Sequence, residues 1–584
     1  ATLSLLNYDV QMRGVKSINL SDSQQVVIYP TNREITLKKN RDFKFSGVVQ
    51  AGRFDFMGHD FYFKYDDFKI DMPNVDSLRI YAETGRSDEF GKPIIKPVKT
   101  VIQQINGDLL IDKPTNKSGI KPFHEYPIFN SFKDSYVFYD RKSIQGGVYQ
   151  KDGFYFHVEP FTIDSLADFD NESLRFDGTL VSGGIFPDIK ETLTLQSDHS
   201  LGFIKKTPPG GMPMYAGKGV FKNDINLSHE GLRGNGELDY IASTTYSDNF
   251  IFFPDSTKAI SQRFIVKENP NAIEFPPVDG ENVAMFWNPS QEYMSHSVID
   301  KPIAMYDMKS KMHGKTIIEP DGLSGDGIFE FEKAELEANL IKFKYEDFSS
   351  DTADFRLKDI TGDGEALAFS TKNVNAFVSF KERNGIFKSN GDGSVINFEP
   401  MKYICFMDEF KWYMDNDNIE LSAGKQEAQD ASGVALEGAQ FISVHEEQDS
   451  LSFFSTKAKY DIRKKIIYAD GVKFMNIADA MVYPDSSKLI IDKNAQMRTL
   501  NNARIVASYI TQNHDIYNAS VNVFGKKKYA GSGYIDYIDE LEKSQTIYLK
   551  SIAVDTTGQT IANADILEED GFKLSPQYEY YGKV

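Results

Sequence analysis

Cysteine is nearly absent from this chain: among 584 residues there is one, Cys405, so no intramolecular disulfide can form. That cysteine lies in the apolar run MKYICFMDEF, a context that predicts a buried and inert thiol. Tryptophan is scarce too, 2 residues against 44 Phe and 30 Tyr. No window approaches the ~20 consecutive apolar residues of a membrane-spanning helix. Positive charge is in deficit, 65 Lys and Arg against 85 Asp and Glu. The resulting net charge of −20 and pI near 5.0 argue against a nucleic-acid partner, whose phosphates would be repelled. The same acidity keeps a large β protein soluble and can attract divalent cations.

Catalytic motifs are missing as well. None of the nine histidines stands in an HExxH or H-x-H arrangement, and His124-Glu125, His229-Glu230 and His445-Glu446 are isolated pairs. GLRGNG at Gly231 lacks the Lys and Ser/Thr of a phosphate loop, and in GLSGDG Ser324 is followed at once by Gly325, so no nucleophile elbow is present. No metal and no cofactor are therefore expected.

What the chain has in abundance is strand material that repeats. Aromatics make up 13% and sit beside β-branched residues in short runs suited to a pleated, half-buried surface. Residues 43–72 alternate apolar and polar side chains, punctuated by Gly47, Gly52 and Gly58. The pattern returns at residues 174–186, as MYAGKGVF around Tyr215 and as KYAGSGYI around Tyr529. An offset of 91 lays Gly231 on Gly322, Phe252 on Phe343 and Phe264 on Phe355 without a gap. An offset of 280 lays FKYDDF (63–68) on FKYEDF (343–348) and Gly47 on Gly327. Self-similarity of this kind marks one supersecondary unit copied or stacked. If the two FKY segments are equivalent strands, Phe63, Tyr65, Phe343 and Tyr345 share a buried face, and Lys64, Asp66, Lys344 and Glu346 face solvent.

The expected fold is all-β with little helix, a repetitive β-solenoid or jellyroll or a tandem β-sandwich. The best helical window, residues 332–343, aligns with a segment no helix would choose, so extended structure is expected there. The polar EAQDASG near Glu427 reads as a surface loop. Three regions are expected, 1–210, 211–400 and 401–584. The Pro/Gly-rich stretches 205–213 and 267–282 are the best linker or long-loop candidates. The start at Ala1 and the end within a strand-like run suggest a piece of a longer or processed protein.

One acidic cluster stands out as a candidate site: Asp408, Glu409, Asp415, Asp417 and Glu420 around Trp412 and Tyr413. Carboxylates beside aromatics suit a sugar cleft, because a glycosidase needs paired acids and rings hold pyranoses. Close oxygen ligands also suit calcium, although the glycine and distal glutamate of an EF-hand loop are lacking. The plainer reading is a solvated hairpin end. Five Asp-Ser or Asp-Thr steps place Ser77, Ser165, Thr352, Ser450 and Thr556 in short sequences that look like O-glycosylation acceptors of exported Bacteroidota proteins. Such steps are also ordinary turn starters.

Residues 458–492, with Ala469-Asp470-Gly471-Val472 closing one strand and Pro484-Asp485 another, resemble one rung of the OstA-like jellyroll repeats of lipopolysaccharide-transport proteins. Through SLGFIKKTPPGGMPMYAGKG, GLRGNG and DYIASTTYSDNFIFFPDS the whole chain more closely resembles large repetitive envelope proteins of the Bacteroidota. The resemblance implies export to the periplasm, outer membrane or cell surface, and it carries over no active-site residue. Two functions follow as expectations. The first is a non-catalytic structural or binding scaffold engaging envelope proteins, lipid or glycan. The second is a carbohydrate-active enzyme using carboxylates of the 408–420 region.

Overall fold

Short runs of aromatic and β-branched residues broken by glycine can satisfy their backbone only by pairing with one another. A computed structural model shows them doing so over residues 1–359, 366–391, 394–406, 408–422, 427–429, 435–508 and 514–584. The described chain is all-β, 61% strand and 5% helical, with no helix of seven or more residues. The pairing is antiparallel, as in the run Phe43–Ala51, Phe54–Lys64, Lys69–Ser87 and Ile102–Leu110. The helix-prone window is the strand Ala334–Phe343, tertiary pairing having overridden local propensity.

Many of the long strands carry two inward-facing runs of opposite parity. In Ser243–Phe252, Ser243, Thr245 and Ser247 are buried, Asp248 and Asn249 are both exposed, and Phe250 and Phe252 are buried. The same two-residue break falls at Gln262-Arg263, Asn339-Leu340 and Asp351-Thr352. A straight strand alternates faces with period two, so two successive exposed residues mark a bend. Ladder register slips at comparable points, between Gly234 and Gly236, Gly325 and Gly327, and Phe45 and Gly47. At Gly236 (φ +150°) a Cβ would stand 2.0 Å from the Lys222 carbonyl oxygen, and at Gly327 (φ +134°) 2.3 Å from that of His313. Only glycine lets the paired strands approach so closely there.

The bends fold the sheet over on itself. Phe331 pairs with Ala334, and Ala334 with Leu357. Along the ladder Phe331 is therefore level with a residue nine positions beyond Phe348 (348 to 357), about 30 Å away in a flat sheet. The rings of Phe331 and Phe348 are in fact 4.9 Å apart. Phe329 likewise meets both Phe343 and Phe348 at 4.9 Å.

The repeat seen in the sequence is a repeat of strands. Met212–Met214, Gly219–Ser228, Gly231–Tyr240, Ser243–Phe252 and Tyr293–Val298 recur, end for end at the offset of 91, as Ile303–Met305, Ser310–Glu319, Gly322–Phe331, Ala334–Phe343 and Asn384–Ser389. The chain divides into two compact units, Ala1–Ile265 with Glu281–Ile299, and Val266–Gly280 with Asp300–Val584. Near the end of the second lies a seven-stranded antiparallel sheet. Its order is Met475–Ile477, Ala480–Tyr483, Leu500–Ala507, His514–Gly525, Lys528–Ile538, Ser544–Val554, Thr560–Asn563.

Three local expectations need correction. FKYDDF and FKYEDF are not equivalent strands: each spans a hairpin turn, but Lys64 ends one strand and Lys69 opens the next in the first, whereas Phe343 ends one and Asp347 opens the next in the second, so Phe68 lies in the turn (φ +50°) and Phe348 in a strand. The buried partners are Phe343 and Phe348, while Tyr65 and Tyr345 are half-buried, because the acidic pair at the tip favours a turn over continued alternation. Glu427–Gln429 is a strand paired with Ala435–Glu437 rather than loop, and residues 430–434 lie outside the described residues. The stretch 205–213 is no linker: residues 207–211 join strand Leu201–Lys206 to strand Met212–Met214 inside the first unit. The stretch 267–282 holds a longer connection closed by a bridge between Asn269 and Phe275.

Candidate functional site

The acidic cluster is a hairpin, Glu409–Tyr413 paired with Asn418–Ser422, with Asp415, Asn416 and Asp417 in its turn. Alternation sends Phe410 and Trp412 inward. Trp412 is 3% exposed and packs 5.7 Å from Phe355 and 6.0 Å from Phe331. Its indole is thus core, with no face open to a sugar ring. Tyr413, on the opposite side, donates its hydroxyl to Glu420 at 3.1 Å. Burial and then that hydrogen bond raise the Tyr413 pKa above its usual value.

The carboxylates of this hairpin are drawn apart by separate cations. Asp415 accepts from Arg383 Nε at 3.0 Å, Glu409 lies 3.6 Å from Lys388, and the nearly buried Asp417 pairs with Arg463. Asp408 uses its carbonyl oxygen to accept from Ser389 N at 2.8 Å. The cluster therefore forms a hairpin end braced by ion pairs to three other segments.

The Asp-Ser and Asp-Thr steps divide by exposure. Thr352, Ser450 and Thr556 are exposed at a strand bend and two turns, whereas Ser77 lies half-buried within Lys69–Ser87 and Ser165 half-buried in a turn. Among the described residues no group of three or more His, Cys, Asp or Glu is placed to hold a metal ion. No helix among them is long and apolar enough to cross a membrane.

Two features escaped the sequence reading. In the second unit a cleft of about 330 Å³ is lined by Tyr306, Glu332, Tyr345, Phe380, Lys381 and Arg383. Two of its cations are engaged: Arg383 bridges Glu332 and Asp415, which raise its pKa, and Lys381 lies 3.8 Å from Glu346. These residues come from separate strands and turns, so no local spacing announces them. In the first unit the interior is partly polar: Ser243, Thr245, Ser247, Thr257 and Ser261 are buried, and His296 is fully buried. The His296 ring stacks 3.5 Å from Phe264, and its Nε2 is 2.9 Å from Thr245 Oγ1. Burial pushes its pKa down to about 3, so the imidazole is neutral at ordinary pH. The inward parity of the bent strand was the missing signal. Cys405 is fully buried, and burial pushes its thiol pKa far above the usual range.

Compared with known proteins, the chain matches no family model and no curated protein.

Proposed function

We propose that this chain is a non-catalytic structural or binding scaffold of the bacterial cell envelope or surface, built as a jellyroll-like solenoid and engaging protein, lipid or glycan. The observation that carries the reading is the strand-for-strand repeat at the offset of 91, with inward-facing rings consumed in packing one arm of the folded sheet against the other. An array of like units grows in length without a privileged position for a reaction centre. Glu409, Asp415, Asp417 and Glu420 support the same reading, since their partners are cations or a hydroxyl on the protein itself. A net charge of −20 suits a long, soluble surface exposed to solvent. The envelope location rests on the sequence resemblance.

The test is to fractionate producing cells, and separately to incubate the purified chain with isolated envelope polysaccharide, following both co-sedimentation and release of soluble reducing ends. The scaffold reading expects the protein in the envelope fraction, saturable co-sedimentation and no release. Release of reducing ends that disappears in an Asp408→Asn/Glu409→Gln double variant would establish the carbohydrate-active enzyme instead.

A further inference from the structure

One side of the seven-stranded sheet carries a row of planar side chains, covered at the Tyr483 end by buried Phe474, Met481 and Val506 and open to solvent at Tyr534 and Tyr548. Tyr483 is in register with Arg504, Tyr517 with Tyr534, and Tyr534 with Tyr548. These five groups stand on five consecutive strands. The opposite parity on the same strands is buried: Val482, Ile505, Ile516, Gly533 and Leu549. Ring centroids are 6.2 Å apart for Tyr517 and Tyr534 and 5.0 Å for Tyr534 and Tyr548. Tyr534 is 38% and Tyr548 50% exposed. The Arg504 guanidinium is held by two hydrogen bonds to Asp515, 2.8 and 2.7 Å, and lies 5.5 Å from the Tyr483 ring, where Phe474 closes that end of the row. A polar row runs beside the aromatic one: Asp536 accepts from the Tyr517 hydroxyl at 2.7 Å and from Thr546 at 2.9 Å.

We propose that this face is a binding site for a neutral polysaccharide chain lying across the strands. The strand spacing of ~4.8 Å is close to the advance of one pyranose ring along an extended glycan, so successive sugars meet successive planar groups. A carboxylate and hydroxyls alongside supply acceptors and donors for ring hydroxyls. Charge selects the class. Arg504 is neutralised by Asp515 and Lys550 pairs with Asp565, which leaves Asp536 as the local charge, on a chain of net −20. A polyanionic glycan or a phosphate-bearing lipid headgroup meets repulsion there, and an uncharged, hydroxyl-rich chain does not. This inference deepens the scaffold reading and rests on it only in taking the ligand to be held rather than cleaved.

The test uses the full chain in isothermal titration against hexamers of β-1,4-linked glucose, β-1,3-linked glucose and α-1,6-linked mannose, with polygalacturonate as the charged comparison. At least one neutral hexamer is expected to bind, more tightly than polygalacturonate. Tyr534→Ala and Tyr548→Ala are each expected to weaken it about tenfold, and Tyr534→Phe, which keeps the ring, by less than about threefold. Circular dichroism melts confirm that the variants fold, and Tyr548→Ser serves if one alanine variant does not. Failure of all three hexamers to bind, or alanine variants that fold and bind like the parent, overturns the site. A site that fails while the protein still co-sediments with envelope polysaccharide leaves the scaffold reading standing. Hexamer binding accompanied by cleavage sinks the scaffold reading and leaves the site.

Discussion

The Tyr306 hydroxyl lies 2.9 Å from the carbonyl oxygen of Lys344, to which it donates, and 3.1 Å from that of Asp347. At the offset of 91, the Tyr215 hydroxyl makes the corresponding contacts with Phe253 at 2.7 Å and Ser256 at 2.8 Å. Each tyrosine therefore pins the two ends of a hairpin turn that belongs to a strand pair further along the chain. Tyr306→Phe keeps the ring against Phe380, 4.7 Å away, and takes the hydroxyl donor from the Lys344 carbonyl, while the Asp347 carbonyl still accepts from Lys344 N at 2.8 Å. The expected cost is about 1–3 kcal/mol, read as a lower denaturant midpoint, with a similar cost for Tyr215→Phe. Unchanged midpoints in both variants contradict the idea that the hydroxyls brace the repeat.

Phe343 is 2% exposed and meets Phe329 across the fold, while Lys344 beside it is exposed and 3.9 Å from Glu274. Phe343→Ala should destabilise by about 3–5 kcal/mol and Lys344→Ala by no more than about 0.5, since an exposed pair contributes little. Equilibrium unfolding monitored by circular dichroism gives both numbers, and equal losses contradict the assignment of faces.

Gly327 stands where a Cβ would strike the His313 carbonyl, whereas at Gly210 nothing lies within 4 Å. Gly327→Ala is expected to cost at least ~2 kcal/mol, and Gly210→Ala less than ~1. If the two alanine variants melt alike, the glycine-lined bend is not what folds the sheet.

His296 gives the first unit a pH dependence of definite sign. Its folded pKa of about 3 lies below the usual 6.5, so protonation favours the unfolded state. The stability lost through this group begins as pH falls below about 6.5, at up to ~1.4 kcal/mol per pH unit, and levels off near pH 3. A His296→Gln variant should lose less stability than the parent between pH 6.5 and 4. Parallel pH profiles for the two proteins would show that His296 is not held neutral.

Much of the fold was legible in the sequence because it is written in side-chain repetition. The glycines at Gly236 and Gly327 and the phenylalanines at Phe252 and Phe343 mark equivalent bends and strand ends, and they align without a gap. What alternation alone misses is the reversal of parity at a bend: Gln262 and Arg263 look like a break in a strand when they are its corner. FKYDDF was misread for a related reason, since a turn flanked by strands has the same composition as a strand with charged outer residues. The acids near Trp412 were found, but their partners Arg383 and Arg463 are chosen by strand register, which no local spacing encodes. The Tyr517, Tyr534 and Tyr548 row is likewise a product of register across three strands.

If the 91-residue unit is a true structural repeat, one copy can be removed without breaking the strand order. Removing residues 219–309 joins Lys218 to Ser310 and replaces one copy of the strand Gly219–Ser228 by its equivalent, Ser310–Glu319. This shortened chain is expected to keep a strand-rich circular dichroism spectrum and to unfold cooperatively, while removal of residues 219–270, which breaks the register, is expected to abolish both. An in-register deletion that collapses as completely as the out-of-register one would show that the chain is not a repeat scaffold.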